Sequence, residues 1–429
     1  MKSEDLNSAT TMDQPLKDGH YFQTNYTNLR RLKKAIYGSV QLCYHHATQQ
    51  NVAVKVIAPQ CVKFVRQMKA QGDQQKEDWI AELDANLRIA RAGGHPSVVR
   101  LLEYFEENQA VFIVMEWCDG GEMFDMLENN DTASSPSPWD ASSCREIFRK
   151  YMEGVLFLHS LDLCHRDLSL ENTLFHSSYG PKICDFGACC SYDPSGVDAS
   201  LVVRDRGGRD LCVNRVGKQF YMSPQILNGE KYDAKATDVW SSGAFLFLLV
   251  TGHPCWEWAH AEYDQSGSYQ RYLEGGPEAF RQTCHAWGFL HRFTDECWDL
   301  LIHMLHPDES LRYTAMECLD HPWLKKVTAA TNETTTGTAA AVAAAVATTT
   351  DEKEVSWNAT ATWEELNPDQ QSRIRTLKNL LTRRGQHHIT FQKALRSIID
   401  QSGWTVEQLQ SLGVHVKAEQ DGSERCIVM

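Results

Sequence analysis

One octet constrains this chain more than any other feature: His165-Arg166-Asp167-Leu168-Ser169-Leu170-Glu171-Asn172, followed thirteen residues later by Asp185-Phe186-Gly187. Asp167 sits in a polar loop directly after a helical pattern, in which Phe148, Tyr151, Met152, Val155, Leu156 and Leu158 recur mostly at spacings of three and four. Asn172 lies in the same loop, and Asp185 follows a short apolar strand, Lys182-Ile183-Cys184. A fold that serves this pattern has to bring a helix end, a loop and a strand end to one place.

Those side chains suit phosphoryl transfer from ATP, which needs positioned phosphates, Mg2+ and a carboxylate near the accepting hydroxyl. Asp167 can orient a hydroxyl and accept its proton. Asn172 and Asp185 offer hard oxygens to Mg2+. Lys55 stands in the middle of the clearest strand, Asn51 to Ile57, where a buried ammonium needs a reason. Pairing with phosphate and with an acidic helix residue supplies one. Each piece alone is weak, because Asp-Phe-Gly occurs by chance and a strand lysine usually sits on an edge. Their joint presence in this order is not coincidence.

Together these residues resemble the eukaryotic protein kinases, over about residues 28–325. The resemblance implies an α+β, bilobal fold: a small β-rich N-lobe, a larger helical C-lobe and ATP between them. It implies Asp167 as the base, Lys55 on the α/β-phosphates, and Asn172 and Asp185 on Mg2+. The Glu171-Asn172 loop ending is similar to that of Ser/Thr kinases. Met115-Glu116-Trp117-Cys118 resembles the hinge, with Met115 as gatekeeper and backbone groups of Glu116 and Cys118 bonding adenine. Glu122, after Gly120-Gly121, is similar to the acid that meets ribose or a basic substrate residue. Gly38, Val40 and Ala53 complete the nucleotide site that the resemblance implies. Asp238 looks like the residue at the start of the central helix that braces the catalytic loop. Arg312 and His321-Pro322-Trp323-Leu324 resemble the end of the C-lobe, most of all in calcium/calmodulin-dependent-type kinases.

The chain also departs from that family. Aligned on Gly38 and Val40, fifteen residues before Lys55, the phosphate-covering loop has Lys33 and Ala35 where two glycines are usual. Losing glycine costs close backbone approach and flexure, while Lys33 beside the triphosphate would return some charge. The helix acid is Glu82 or Asp84; Asp84 fits the count to His95 better, and Glu82 has the expected side chain and the longer reach. Ser169 replaces the lysine that contacts the γ-phosphate, and Lys218 stands where a threonine is usual. Two accounts of Lys218 are open: its ammonium enters from the substrate loop and takes over the missing role, or it is a surface lysine on a drifting loop. Gln225 replaces the glutamate that pairs with Arg312. No Ser, Thr or Tyr lies between Leu201 and Lys218. Activity is therefore expected without a phosphate against Arg166, with Asp210 or nothing in that slot.

A net charge of −14 argues against nucleic acid as a partner. Met1 to Asp18 is polar and does not read as a signal peptide, and no apolar run is long enough to span a membrane. Fourteen cysteines without paired zinc spacing read as reduced thiols in a cytoplasmic protein. Cys189-Cys190 is the pair that invites redox chemistry, a passive role being the plainer account. The expected organisation is a disordered leader (1–20), N-lobe and hinge (21–118), C-lobe (119–325), a Thr/Ala-rich linker (326–359), a small helical module (360–416) and a flexible tail (417–429). Within the module, 373–384 is basic and amphipathic. It suits calmodulin, an autoinhibitory contact with the domain's own cleft, or acidic lipid; the plainer reading is one helix with its basic face in water. Cys426-Ile427-Val428-Met429 fits the C-a-a-X pattern. It predicts a prenyltransferase as partner, a farnesyl group on Cys426 and reversible residence at a membrane surface. Two functions stay open: an active kinase acting on protein substrates, or a pseudokinase scaffold that binds nucleotide and partners.

Overall fold

The computed structural model describes residues 19–70, 79–128, 137–192, 202–204, 210–325, 416–418 and 426–428. After a short helix, α1 (Tyr21–Asn25), come strands β1 (Tyr26–Ala35), β2 (Gly38–His45) and β3 (Gln50–Ile57). Helices α2 (Pro59–Ala70) and α3 (Trp79–Arg91) precede β4 (Leu101–Glu107) and β5 (Ala110–Glu116). The five strands form one antiparallel sheet in the order β1-β2-β3-β5-β4. Two-residue periodicity splits β5 between two cores. Phe112 and Val114 pack with Tyr26, Val54 and Phe105 on one face. Val111 and Ile113 pack with Val62, Val65, Trp79 and Leu83 under α2 and α3 on the other.

The helical part begins with α4 (Met123–Glu128) and α5 (Ala141–Ser160). Two short antiparallel pairs follow: β6 (Leu163–Cys164) with β9 (Cys190–Ser191), and β7 (Thr173–His176) with β8 (Gly180–Ile183). They hold the loops that carry the octet and Asp185. Strands β10 (Val202–Arg204) and β11 (Asp210–Cys212) pair next, before α6 (Pro224–Leu227) and α7 (Ala234–Thr251). Helices α8 (Ser268–Ala286), α9 (Asp295–Met304), α10 (Ala315–Asp320) and α11 (Pro322–Lys325) complete this part.

Helix α7 is the axis of the lobe: every residue but Lys235 and Ala236 is buried. Its start is fixed by Asp233, whose side chain accepts from the Lys235 and Ala236 backbone, and its end by Gly252 in the left-handed region (φ 75°). A helix apolar all round has to be enclosed. Tyr151 of α5 stacks on Phe245 of α7 with ring centroids 4.2 Å apart, at the centre of the largest core cluster. The α+β architecture of a small sheet lobe and a larger helical lobe is thus present. Strands β12 (Val416–Ala418) and β13 (Cys426–Val428) form a separate antiparallel pair, Ala418 opposite Cys426.

Local pattern misleads at two places. Strand-like pattern from Tyr21 to Ile57 includes Tyr21–Asn25, which is helical, and the apolar stretch Val98–Phe105 suggests one strand, of which β4 begins only at Leu101. Helix α2 was not legible: of its pattern only Val62 and Val65, three apart, are fully buried, too brief a stripe to register. The leader to residue 18, the linker, and the 373–384 stretch with nearly all of the helical module lie outside the described residues. No described helix is long and apolar enough to cross a membrane.

Candidate active site

Lys55 is set by its ladder positions, opposite Val40 on β2 and Ile113 on β5. Its Nζ lies 2.5 Å from Glu82 Oε2 and 3.7 Å from Asp185 Oδ1. Helix geometry decides between the two candidate acids. Residues two apart point about 200° away from each other around a helix. Glu82 faces the sheet, and Asp84 instead pairs with Arg88 Nε at 2.9 Å.

Ala53 and Met115 are cross-strand partners, so a small side chain and the candidate gatekeeper share one face of the cleft. At the candidate hinge the Glu116 N–H is taken by the Arg100 carbonyl, 3.0 Å away. The Glu116 carboxylate accepts from Lys182 Nζ at 2.9 Å and the Arg100 N–H at 2.7 Å. Burial pushes the Cys118 thiol up to about 12. Gly38 is needed for packing, since any Cβ there would overlap the Val56 carbonyl. The phosphate-covering segment is a paired hairpin at its tip, Lys33 opposite Val40 and Ala35 opposite Gly38, with the register shifted just before Lys33. Lys33 does not stand free to meet phosphate: its Nζ pairs with Glu122 Oε1 at 2.6 Å, joining the sheet lobe to the helical lobe. Burial pulls the Lys33 ammonium down, but Glu122 and then Asp185 outweigh this and hold it above its ordinary value.

The octet is braced from α7. Buried Asp238 accepts from the His165 N–H (2.8 Å) and the Arg166 N–H (2.7 Å) and meets His159 Nε2 at 2.9 Å. Held this way, Arg166 adopts φ 61°, a left-handed conformation that side-chain-bearing residues rarely take. Asp167 then turns into the cleft. The Asn172 side-chain amide donates to Asp167 Oδ2 (2.7 Å) and to the Asp167 carbonyl (2.8 Å). Lys218 Nζ donates to Asp167 Oδ2 at 3.0 Å and to Ser169 Oγ at 2.9 Å. Gly217 makes that entry feasible: it has φ 99°, and a Cβ there would press on the Arg166 carbonyl at 2.9 Å. Asp167 Oδ1 is buried and has no hydrogen-bond partner. An acceptor left unpaired in a cleft costs free energy unless a ligand hydroxyl completes it.

Asp185 also sits at positive φ (65°). Lys55 holds its carboxyl below the usual carboxylate range against the opposing pull of burial, with His165 and Lys218 adding to the effect. The residues present fit Mg2+. Asn172 spends its amide nitrogen on Asp167 and leaves its oxygen to ligate, and Asp185 is ionised nearby. Among the described residues there is no cluster of three or more His, Cys, Asp or Glu suited to a metal. Mg2+ takes one or two protein oxygens and completes its shell with phosphate and water.

Arg166 reaches the other way. Its Nε donates to the Ala188 carbonyl (2.8 Å) and its guanidinium to Asn214 Oδ1 (2.5 Å). Asn214 therefore meets Arg166, across 48 residues and with no sequence signature, while the side chain of Asp210, the residue expected in this slot, lies outside the described residues. Tyr221 was missed as well. Its hydroxyl donates to Glu171 Oε2 (3.1 Å) and accepts from the Leu170 N–H (3.3 Å), tying the loop of Lys218 to the octet. Gln225 Oε1 accepts from Arg312 at 3.1 Å, keeping a neutral form of the expected pair. Cys426 lies on β13, apart from this cleft in sequence.

Residues 26–324 match the protein kinase domain family. The SNF-related serine/threonine-protein kinase of Homo sapiens is 28% identical over 301 residues, covering 70% of this chain and 33% of that protein. The serine/threonine-protein kinase chk1 of Schizosaccharomyces pombe is 27% identical over 300 residues, covering 70% of this chain and 53% of that protein. The chain thus spans only about a third to a half of the length of these curated relatives. A match running from the first strand of the sheet lobe to the last helix of the larger lobe leaves one conclusion: the chain belongs to the protein kinase domain family.

Proposed function

We propose that the chain is a Mg·ATP-dependent kinase acting on serine or threonine in proteins. The observation that carries this reading is the cleft in which Lys55 meets both Glu82 and Asp185 while Asp167 keeps one unpartnered oxygen. Lys55 positions the α/β-phosphates, held in place by Glu82. Asn172 and Asp185 hold Mg2+, which when bound offsets charge on the phosphates. Asp167 Oδ1 orients the substrate hydroxyl and receives its proton. Lys218 supplies the positive charge that Ser169 lacks. Met115, the backbone of Glu116 and Cys118, and the side chains of Val40 and Ala53 enclose adenine. Asn214 on Arg166 supports activity that needs no phosphate there. The names of the two relatives agree with serine/threonine specificity.

The test is a peptide-library and autophosphorylation assay comparing the wild type with Asp167→Asn, before and after phosphatase treatment. Wild type is expected to turn over at the same rate either way, and Asp167→Asn to fall on the order of 100- to 10,000-fold. If wild type and variant are equally inert, the scaffold reading replaces this one. The Lys33–Glu122 pair, standing where flexible glycines are usual, is the feature that favours such a nucleotide-binding scaffold.

The ending His321-Pro322-Trp323-Leu324 supports a place among calcium/calmodulin-dependent-type kinases. The terminal Cys426-Ile427-Val428-Met429 supports farnesylation of Cys426 and reversible attachment to the cytoplasmic face of a membrane. Metabolic labelling with a farnesyl analogue should give a signal that Cys426→Ser abolishes; a signal unchanged in that variant removes the attachment from this reading.

A further inference from the structure

Three thiols meet behind Arg166, away from the phosphotransfer groups. Pairing of β6 with β9 sets Cys164 opposite Cys190, and β11 brings Cys212 against them. The Cys190 and Cys212 sulfurs are 3.4 Å apart, although 22 residues separate them in sequence. All three are buried with Ile226, Tyr232 and Ala234. Cys189, the neighbour that sequence alone would pair with Cys190, belongs to the main core cluster instead. Its thiol meets only the Cys190 carbonyl, at 3.8 Å.

Most buried thiols are inert packing groups. Two further observations separate Cys190 from those. Hydrogen bonds from Cys164 and Cys212, with the Arg166 guanidinium close by, hold the Cys190 thiol below its ordinary value despite burial, while Cys164 and Cys212 are pushed up. A thiol that accepts hydrogen bonds from two neighbouring thiols beside a guanidinium gives up its proton more readily, and the thiolate is the nucleophile. A cavity of about 170 Å³ also lies beside this cluster. It is lined by exposed Val213 and Gly229 at its mouth and by Ile226 and Tyr232, which pack on the thiols, while none of the three thiols lines it. A small oxidant can thus come within one layer of side chains of the buried sulfurs.

We propose that Cys190 and Cys212 are an oxidative modification site, forming a disulfide that ties β9 to β11 beside Arg166. The oxidant is a peroxide. The Cys190 thiolate attacks one oxygen of hydrogen peroxide, the O–O bond breaks, and a sulfenic acid and hydroxide result. The Cys212 thiol then attacks the Cys190 sulfur, and the sulfenic oxygen leaves as water with the thiol proton. One thiolate, one thiol and one peroxide become one disulfide, one water and one hydroxide; the sulfurs lose two electrons and the peroxide gains them. Asn214, two residues past Cys212, then keeps its hydrogen bond to Arg166 on a strand end tied covalently to β9.

The experiment uses the full chain, reduced, then treated with hydrogen peroxide, alkylated under denaturing conditions, digested without reductant and read by mass spectrometry. A Cys190–Cys212 linked peptide, cleaved by dithiothreitol, is expected as the main disulfide product. It should form at least about tenfold faster in folded than in urea-unfolded protein, because only the fold supplies the thiolate and the proximity. Asp167→Asn should form it equally well, since the step does not use the phosphotransfer site. In Cys212→Ala the Cys190 sulfenic acid should persist and be trapped by dimedone. The proposal is overturned if Cys190 stays alkylatable in peroxide-treated wild type, if it links to Cys164 instead, or if unfolded protein links as fast. The wild-type measurement is decisive without any variant.

Discussion

Negative charge gathers beside Asp167 when a phosphoryl group is transferred, and Ser169 has no charge with which to meet it. The ammonium 2.9 Å from Ser169 Oγ and 3.0 Å from Asp167 Oδ2 belongs to Lys218, which enters from a different loop. Lys218→Met is expected to lower kcat on the order of 100- to 1,000-fold, by analogy with the loss of one oxyanion-hole donor. Pairing Lys218→Thr with Ser169→Lys should recover most of that loss, because the charge returns to the same oxygens by the other route. Steady-state kinetics decide it; a Lys218→Met enzyme as fast as wild type sinks the idea. At this scale Asp167, Asn172 and Asp185 were legible from spacing within short motifs, and Lys55 from its place in a strand together with their order along the chain. Choosing Glu82 over Asp84 required the helix orientation. Asn214 required the residues just after β11 to meet Arg166, a contact between residues with no local relation.

Helices and strands owe their stability here to what they pack against. Helix α7 was legible as buried because Ala244 to Val250 is uninterrupted apolar sequence. Its cost of disruption follows from enclosure: Phe245 is fully buried and stacked on Tyr151. Phe245→Ala should destabilise the domain by about 3–5 kcal/mol, as large-to-small changes in tight cores do. Urea unfolding followed by tryptophan fluorescence measures it, and a loss under 1 kcal/mol, roughly the transfer of one methylene, would show that the core closes around the gap. Helix α2 marks the opposite case. Its polar and apolar residues are interspersed, and its place is set by two valines meeting a sheet face, which no window of the chain displays.

Across the whole domain the two lobes are joined at the cleft mouth by Lys33 and Glu122. The pair is partly open to water, with Lys33 57% exposed, so its contribution is about 0–1 kcal/mol and salt weakens it. Lys33→Ala is therefore expected to speed nucleotide exchange by up to about fivefold at low salt. The difference from wild type should fade at high salt. Stopped-flow release of a fluorescent ATP analogue reads both; a salt-independent effect would mean that hairpin packing, not the ion pair, governs exchange. By itself the sequence determined the chemistry and the two-lobe fold, because catalytic spacing and hydrophobic period are local properties of the chain. Tertiary structure alone decided that Lys218 answers Ser169, that Asn214 occupies Arg166, that Lys33 bridges to Glu122 and that Cys190 finds Cys212 rather than Cys189. Each of those depends on the distance between segments far apart in sequence, and only packing sets that distance.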